Sequence, residues 1–168
     1  MGDELVIVAI GSNLGDSAGL AQQAMDRLQS LSDSPLRRSS LWKTPPVDCP
    51  PGSPDFVNAA VAFCPRPNET PETLLGKLQA IEKEFGRQTK EIHNEPRPLD
   101  LDLIAFGERR ELTADLTLPH PRAHERAFVL QPLSEIAQDF VLPGQSKTVA
   151  ELVERLQAAG ALFGLERL

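Results

Sequence analysis

The segment Leu99-Asp100-Leu101-Asp102-Leu103 sets two carboxylates two residues apart in a run of leucines. Alternate side chains of a strand point to opposite faces. The leucines would then enter a core while Asp100 and Asp102 project together from the other side. Two ionised carboxylates this close repel, and a divalent cation relieves that repulsion. Magnesium suits such a pair, because it takes one or two protein carboxylates and completes its shell with water and substrate phosphates. A solvated strand face gives the same pattern. With 24 acids in 168 residues, about three acid-x-acid pairs arise by chance, and Glu82 with Glu84 forms another.

Cations flank the pair. Arg87, Lys90 and Arg97 lie upstream, and His120, Arg122 and Arg126 lie downstream. The planar guanidinium fork suits phosphate because it donates two parallel hydrogen bonds. Residues 87–126 hold seven Lys or Arg against eight Asp or Glu, so only convergence in three dimensions would make an anion site. His120 stands between two prolines, which restrict its backbone. It could donate to a phosphate or be a surface histidine with no role. Phe56 and Asn58 alternate on one segment, and Phe128 lies on a later one. Two such rings could sandwich a flat heterocycle while Asn58 supplies a hydrogen bond; burial in a core is the commoner fate of a phenylalanine. Gly11-Ser12-Asn13-Leu14-Gly15 lacks a Gly-Lys-Ser/Thr ending and is no dinucleotide fingerprint. It reads as a tight strand-to-helix turn.

These residues need elements to position them. Residues 4–10 form a β-branched apolar run, read as a buried strand ending at Gly11. Leu20, Ala24, Leu28 and Leu31 recur at helical spacing, with Asp16 or Ser17 as cap, so a helix is expected over 17–32. Residues 36–44 read as a second strand. Residues 44–54 carry five prolines and one glycine, which excludes a helix or a central strand and leaves a long surface loop. Residues 56–63 form a third strand. Thr70-Pro71 begins a helix whose buried face is Leu74, Leu75, Leu78, Ile81 and Phe85, with Gly86 as its stop. A polar linker follows over 87–98, then a fourth strand over 99–106. Helices are expected over 122–136 and 148–156. The order is that of a ferredoxin-like βαββαβ sandwich, an α+β fold, with additional C-terminal helices. Helices would cover one face of an antiparallel sheet and leave the other open for loops and ligands.

Composition narrows the classes. The length suits one domain over residues 1–168 with a sizeable core. The formal net charge of −7 argues against a nucleic-acid binder, which needs a dense basic surface. No apolar run approaches the ~20 residues of a membrane span, and the first residues carry acids where a leader needs bases. Cys49 and Cys64 are too few for a disulfide framework and lack metal-site spacing, which fits a reducing cytoplasm.

Six blocks, in order, resemble one family. They are VAIGSNLGD (8–16), TPPV (44–47), PDFVNAAV (54–61), IEKEFGR (81–87), EPRPLDLDLIAFG (95–107) and LPHPRAHERAFVLQPLSEIA (118–137). The family is 6-hydroxymethyl-7,8-dihydropterin pyrophosphokinase, which uses ATP to place a pyrophosphoryl group on the pterin hydroxymethyl and releases AMP. The resemblance implies that Asp100 and Asp102 hold two Mg2+ ions against ATP. It implies that Arg87 and Arg97 are catalytic-loop arginines. Gln79, Lys90, His120 and Arg126 match nucleotide contacts, with Glu82 near both substrates. Thr44, Val47, Phe56, Asn58 and Phe128 match the pterin pocket. Asn94 and Glu95 stand where many relatives have Trp-Gly, and Asp48 where a glycine is common. Small-molecule substrates, no nucleic acid or membrane partner, and a monomer are expected. Two alternatives stay open: a ferredoxin-like RNA-binding module, and a family member that binds without turnover.

Overall fold

The computed structural model describes residues 4–46, 49–86 and 98–168. In chain order the elements are β1 (Val6–Ser12), α1 (Ser17–Leu28) with a 3-10 turn (Gln29–Leu31), β2 (Arg37–Arg38), β3 (Trp42–Thr44), β4 (Phe56–Phe63) and α2 (Pro71–Glu84). There follow β5 (Asp100–Phe106), β6 (Glu111–Leu112), β7 (Thr117–Leu118), a 3-10 turn (Ala123–Glu125), α3 (Ala127–Ala137), α4 (Val149–Ala158) and β8 (Glu166–Arg167). The main sheet runs β5-β1-β4-β3-β8, with β2 also on β4. Its pairings are all antiparallel. The strand after α1 lies two places from β1 with β4 between them, the split βαβ arrangement of the α+β fold that the element order implies.

Local chemistry sets the ends. Asp16 caps α1 by accepting from the Gly19 amide at 3.2 Å. Thr70 caps α2 through a reciprocal box with Thr73, and Pro71 takes the first helical turn, where no intrahelical donor is needed. Gly86 follows α2 at φ +91°, a conformation open to glycine. Thr148 and Glu151 form a second capping box on α4.

The sheet is packed on both faces. Val6, Val8 and Ile10 with Leu101 and Leu103 meet α1 and α2 in one core. Ile7, Ala60, Ala62, Ile104 and Ala105 meet α3 and α4 in a second. The second face is therefore not open along its length. α3 and α4 bury one end of it, because their apolar stripes need a partner surface. The β1–β5 register shifts between Ile7 and Val8, leaving an extra residue on β5. That bulge puts Ile104 and Ala105 in the second core and returns Phe106 to the first.

Other expectations need correction. Gly11 and Ser12 are strand residues, both paired to β4 and Gly11 also to β5, and the turn begins later, with Gly15 at φ +80°. The second strand is split. Arg38 faces Val61 and Trp42 faces Asn58, so one extra residue bulges between β2 and β3. There the Ser39 hydroxyl accepts from the Ala60 amide at 2.8 Å in place of a ladder carbonyl. The helix expected over 122–136 breaks at Arg126, whose backbone is extended. The C-terminal residues add β8 to the edge of β3.

Candidate active site

Strand register assembles a row across the second face. Gly11 of β1 lies opposite Asn58 of β4 on one side and Asp100 of β5 on the other. Trp42 of β3 lies opposite Asn58, and Thr44 opposite Phe56. Directly opposite residues share a face, so Asp100, Gly11, Asn58 and Trp42 form one row across the second face, whose Trp42 end reaches α3. Asp102 sits one row nearer the helices, opposite Ala9. Asn58, 7% exposed, donates its Nδ2 to the Thr44 Oγ1 at 2.6 Å, and Thr44 is 1% exposed. Buried polar groups need such partners. A Cβ on Gly11 would stand 3.0 Å from the Asn58 Oδ1 and 3.6 Å from the Phe56 ring. The missing side chain is what leaves Asn58 and Phe56 their positions. A glycine inside a strand marks such a close approach.

The polar rim is built from β5 and the loop before α3. β5 ends the sheet, so its outward amides find no strand partner. The Leu101 amide, between the two aspartates, donates to the Glu82 carboxylate of α2 at 2.7 Å. That bond ties the Asp100–Asp102 stretch to a helix and keeps both carboxylates on one face. The His120 amide donates to the Ile104 carbonyl at 2.9 Å, docking the loop beside β5. The Arg122 amide points at the His120 Nδ1 at 3.4 Å, which leaves the imidazole proton on Nε2. Burial, followed by the nearby Arg126 and Arg122 charges, holds the His120 pKa below its ordinary value, with Asp100 opposing. The ring is a neutral donor near pH 7. The Arg126 guanidinium lies 5.5 Å from the centre of the Phe128 ring, a cation–π arrangement. Among the described residues no group of three acids, histidines or cysteines forms a closed metal cage. Two hard oxygen donors without sulfur fit magnesium shared with a phosphate ligand better than zinc.

Residues 7–138 match the profile of the family described as 7,8-dihydro-6-hydroxymethylpterin-pyrophosphokinase, HPPK. A Synechocystis 2-amino-4-hydroxy-6-hydroxymethyldihydropteridine pyrophosphokinase is 40% identical over 150 residues, covering 89% of this chain and 75% of that protein. The Pseudomonas aeruginosa protein of the same name is 39% identical over 164 residues, covering 97% and 96%. The chain belongs to the HPPK family. The fold agrees. A solved structure of wild-type Plasmodium falciparum HPPK-DHPS superposes with a TM-score of 0.73 at 12% identity, over 98% of this chain and 47% of that one. This chain thus spans about half the length of that solved protein.

Of the residues matched by the HPPK resemblance, Thr44, Phe56 and Asn58 come together on the sheet and Asp100 and Asp102 lie on its edge strand; His120 lies within electrostatic reach of Asp100 and Arg126, and Phe128, beside Arg126, packs against the second core. Gln79 lies exposed on α2, one turn before Glu82, toward the outer edge of β5. Val47, Arg87, Lys90 and Arg97, with Asp48, Asn94 and Glu95, lie outside the described residues. Gly11 is the residue that sequence reading missed. Its signal was present, since a glycine after an unbroken β-branched run can be a strand residue under close approach as well as a turn.

Proposed function

We propose that the open end of the second sheet face is where ATP and 6-hydroxymethyl-7,8-dihydropterin meet. The reaction is the HPPK reaction of folate synthesis, transfer of pyrophosphate from ATP to the pterin hydroxymethyl with release of AMP. One observation supports this placement above the others: a single row joins Asp100, Gly11 and Asn58, so a carboxylate rim and a pocket floor share one surface. Asn58 and Thr44 hydrogen-bond the polar edge of the heterocycle, and Phe56 and Phe128 cover its faces. Val47 adds to that pocket. Gln79 and Glu82 lie on the nucleotide side.

Asp100 and Asp102 hold Mg2+, two ions in our reading. Held by these two carboxylates, Mg2+ would supply charge neutralisation to the ATP phosphates. His120 donates from Nε2 to a phosphate oxygen, and Arg126 adds a cation beside it. Arg87 and Arg97 neutralise the charge that grows as AMP leaves, and Lys90 is a further phosphate contact. Asp102 is a poor candidate for general base while it holds a metal. Loops 44–54 and 87–98 exclude water, which suppresses idle ATP hydrolysis.

We also propose one domain over residues 1–168 and a monomer in the cytoplasm, acting on small molecules. The net charge of −7 supports a partner other than nucleic acid. No helix among the described residues is long and apolar enough to cross a membrane. The deciding experiment is AMP release with hydroxymethyl-dihydropterin, with and without magnesium. Pterin-dependent AMP that vanishes with chelator is expected. AMP release indifferent to pterin would overturn the assignment.

A further inference from the structure

Glu135 lies outside the site described above, two turns along α3 from Phe128. Its Oε1 accepts from the Ser40 amide at 2.9 Å and from the Trp42 Nε1 at 3.0 Å. Its Oε2 accepts from the Ser40 hydroxyl at 2.9 Å and lies 3.7 Å from the Arg167 guanidinium, with the Glu135 side chain 23% exposed. The reason for this cluster is local. The bulge between β2 and β3 turns the Ser40 amide out of the ladder, and an amide without a ladder partner needs another acceptor.

What the cluster holds matters for the site. β3 has three residues, which makes it a weak strand by itself. It is flanked by β4 on one side and by β8 on the other, where Trp42 faces Arg167 and the Leu168 amide donates to the Leu41 carbonyl at 2.8 Å. Glu135 then fastens the same strand to α3. The far end of β3 is Thr44, bonded to Asn58. The near end of α3 carries Arg126 and Phe128. Residues seven apart on a helix share a side, about 10.5 Å apart along the axis. One rigid helix therefore carries both Phe128, which the proposed function assigns to the pterin pocket, and Glu135, bonded to the strand that ends at Thr44.

We infer that Glu135 is a positioning residue, which with Arg167 of the C-terminal strand locks β3 to α3 and fixes the spacing between the Thr44–Asn58 wall and Phe128. The inference rests on the reading that this pocket takes the pterin. Burial alone would raise the Glu135 pKa, but the hydrogen bonds from Trp42 and Ser40 bring it below the ordinary carboxylate value, so those donors hold it ionised. The clamp acts on the pterin side. The rim of Asp100, Asp102 and His120 is built from β5 and the loop docked on Ile104, whereas Glu135 bonds to Ser40 and Trp42 of the β3 side.

Trp42 is the single tryptophan of the chain and reports the clamp directly. The test compares wild type, Glu135→Gln and Arg167→Ala by Trp42 emission, by equilibrium binding of hydroxymethyl-dihydropterin, and by steady-state kinetics in each substrate. In Glu135→Gln the emission should shift and the pterin KM should rise about tenfold, while the ATP KM and kcat stay within about twofold. Arg167→Ala should raise the pterin KM about threefold and decides the matter if Glu135→Gln does not fold. An unchanged pterin KM, or equal rises for pterin and ATP, overturns the clamp. A wild type that neither binds nor turns over the pterin overturns the function reading instead, and the Trp42 shift would still report the contact.

Discussion

The second sheet face has two ends made by the same three strands. At one end β1, β4 and β5 present Ile7, Ala60, Ala62 and Ile104, all at or below 1% exposure and covered by α3 and α4. Toward the other end they present Gly11, Asn58 and the pair Asp100 and Asp102, Asp102 lying level with Ala60 at the boundary. Alternation selects the face, and position along the strand then selects core or site. The covered end must be apolar, because a polar group there would lose its water without a partner. The uncovered end is free to carry charge, and it does so where two carboxylates repel unless something neutralises them. Stability and chemistry thus divide one surface lengthwise.

Substitutions at the two ends should have opposite signatures. Asp102→Asn should lower turnover by about a thousandfold, roughly 4 kcal/mol of transition-state stabilisation. It should leave the unfolding midpoint close to that of wild type, since asparagine keeps the shape of the side chain and most of its hydrogen-bonding capacity. AMP release and urea titration check this, and an active variant would sink the metal assignment. Leu152→Ala, in α4 over the covered end, should do the reverse. It should cost about 2–5 kcal/mol of stability by opening a cavity in the second core. Its kcat/KM below the unfolding transition should stay within about threefold of wild type. A large loss of activity at full folding would mean that the two ends are coupled.

Much of this division was legible in the sequence. Strand 56–63 and the helix from Pro71 declare themselves because apolar content, a capping threonine and a terminal glycine agree locally. The common face of Asp100 and Asp102 follows from alternation alone. The misreadings share one cause, which is long-range pairing. Gly11-Ser12-Asn13 has turn chemistry, yet Gly11 and Ser12 stay in the strand because β4 pairs with both and β5 with Gly11. The bulge at Ser39 and Ser40 depends on a carboxylate 95 residues away. The periodicity of α3 and α4 predicts an apolar stripe but not which sheet face it covers. β8 is two residues long and pairs with a strand of three, so no local pattern announces it.

Gly11→Ala sharpens the comparison at the boundary. The backbone tolerates alanine, since Gly11 lies in a regular strand, and replacing a strand glycine should not destabilise by itself. The new methyl meets the Asn58 Oδ1 at 3.0 Å, and Asn58 cannot yield without stretching its 2.6 Å bond to Thr44. Pterin affinity should fall about tenfold with ATP affinity unchanged, measured by equilibrium binding of each substrate alone. Equal binding would mean that Asn58 is not held where the pocket needs it.

The smallest effect concerns His120 and runs through pH. Its folded pKa lies below the ordinary 6.5, chiefly through burial. Above 6.5 both folded and unfolded chains carry a neutral ring, and this residue adds no pH dependence. As pH falls through that value the unfolded chain takes the proton first, so stability falls with decreasing pH until the folded ring also protonates. Urea unfolding at about pH 7.5 and about pH 5.5 should therefore show a decline that His120→Asn reduces. Ring resonances followed by NMR should give a midpoint below 6.5 in the free protein. Nucleotide phosphate facing Nε2 favours the charged ring and should move that midpoint upward. A midpoint that does not move on saturation with MgATP would place the ring away from the phosphates, leaving His120 as a loop residue docked on Ile104.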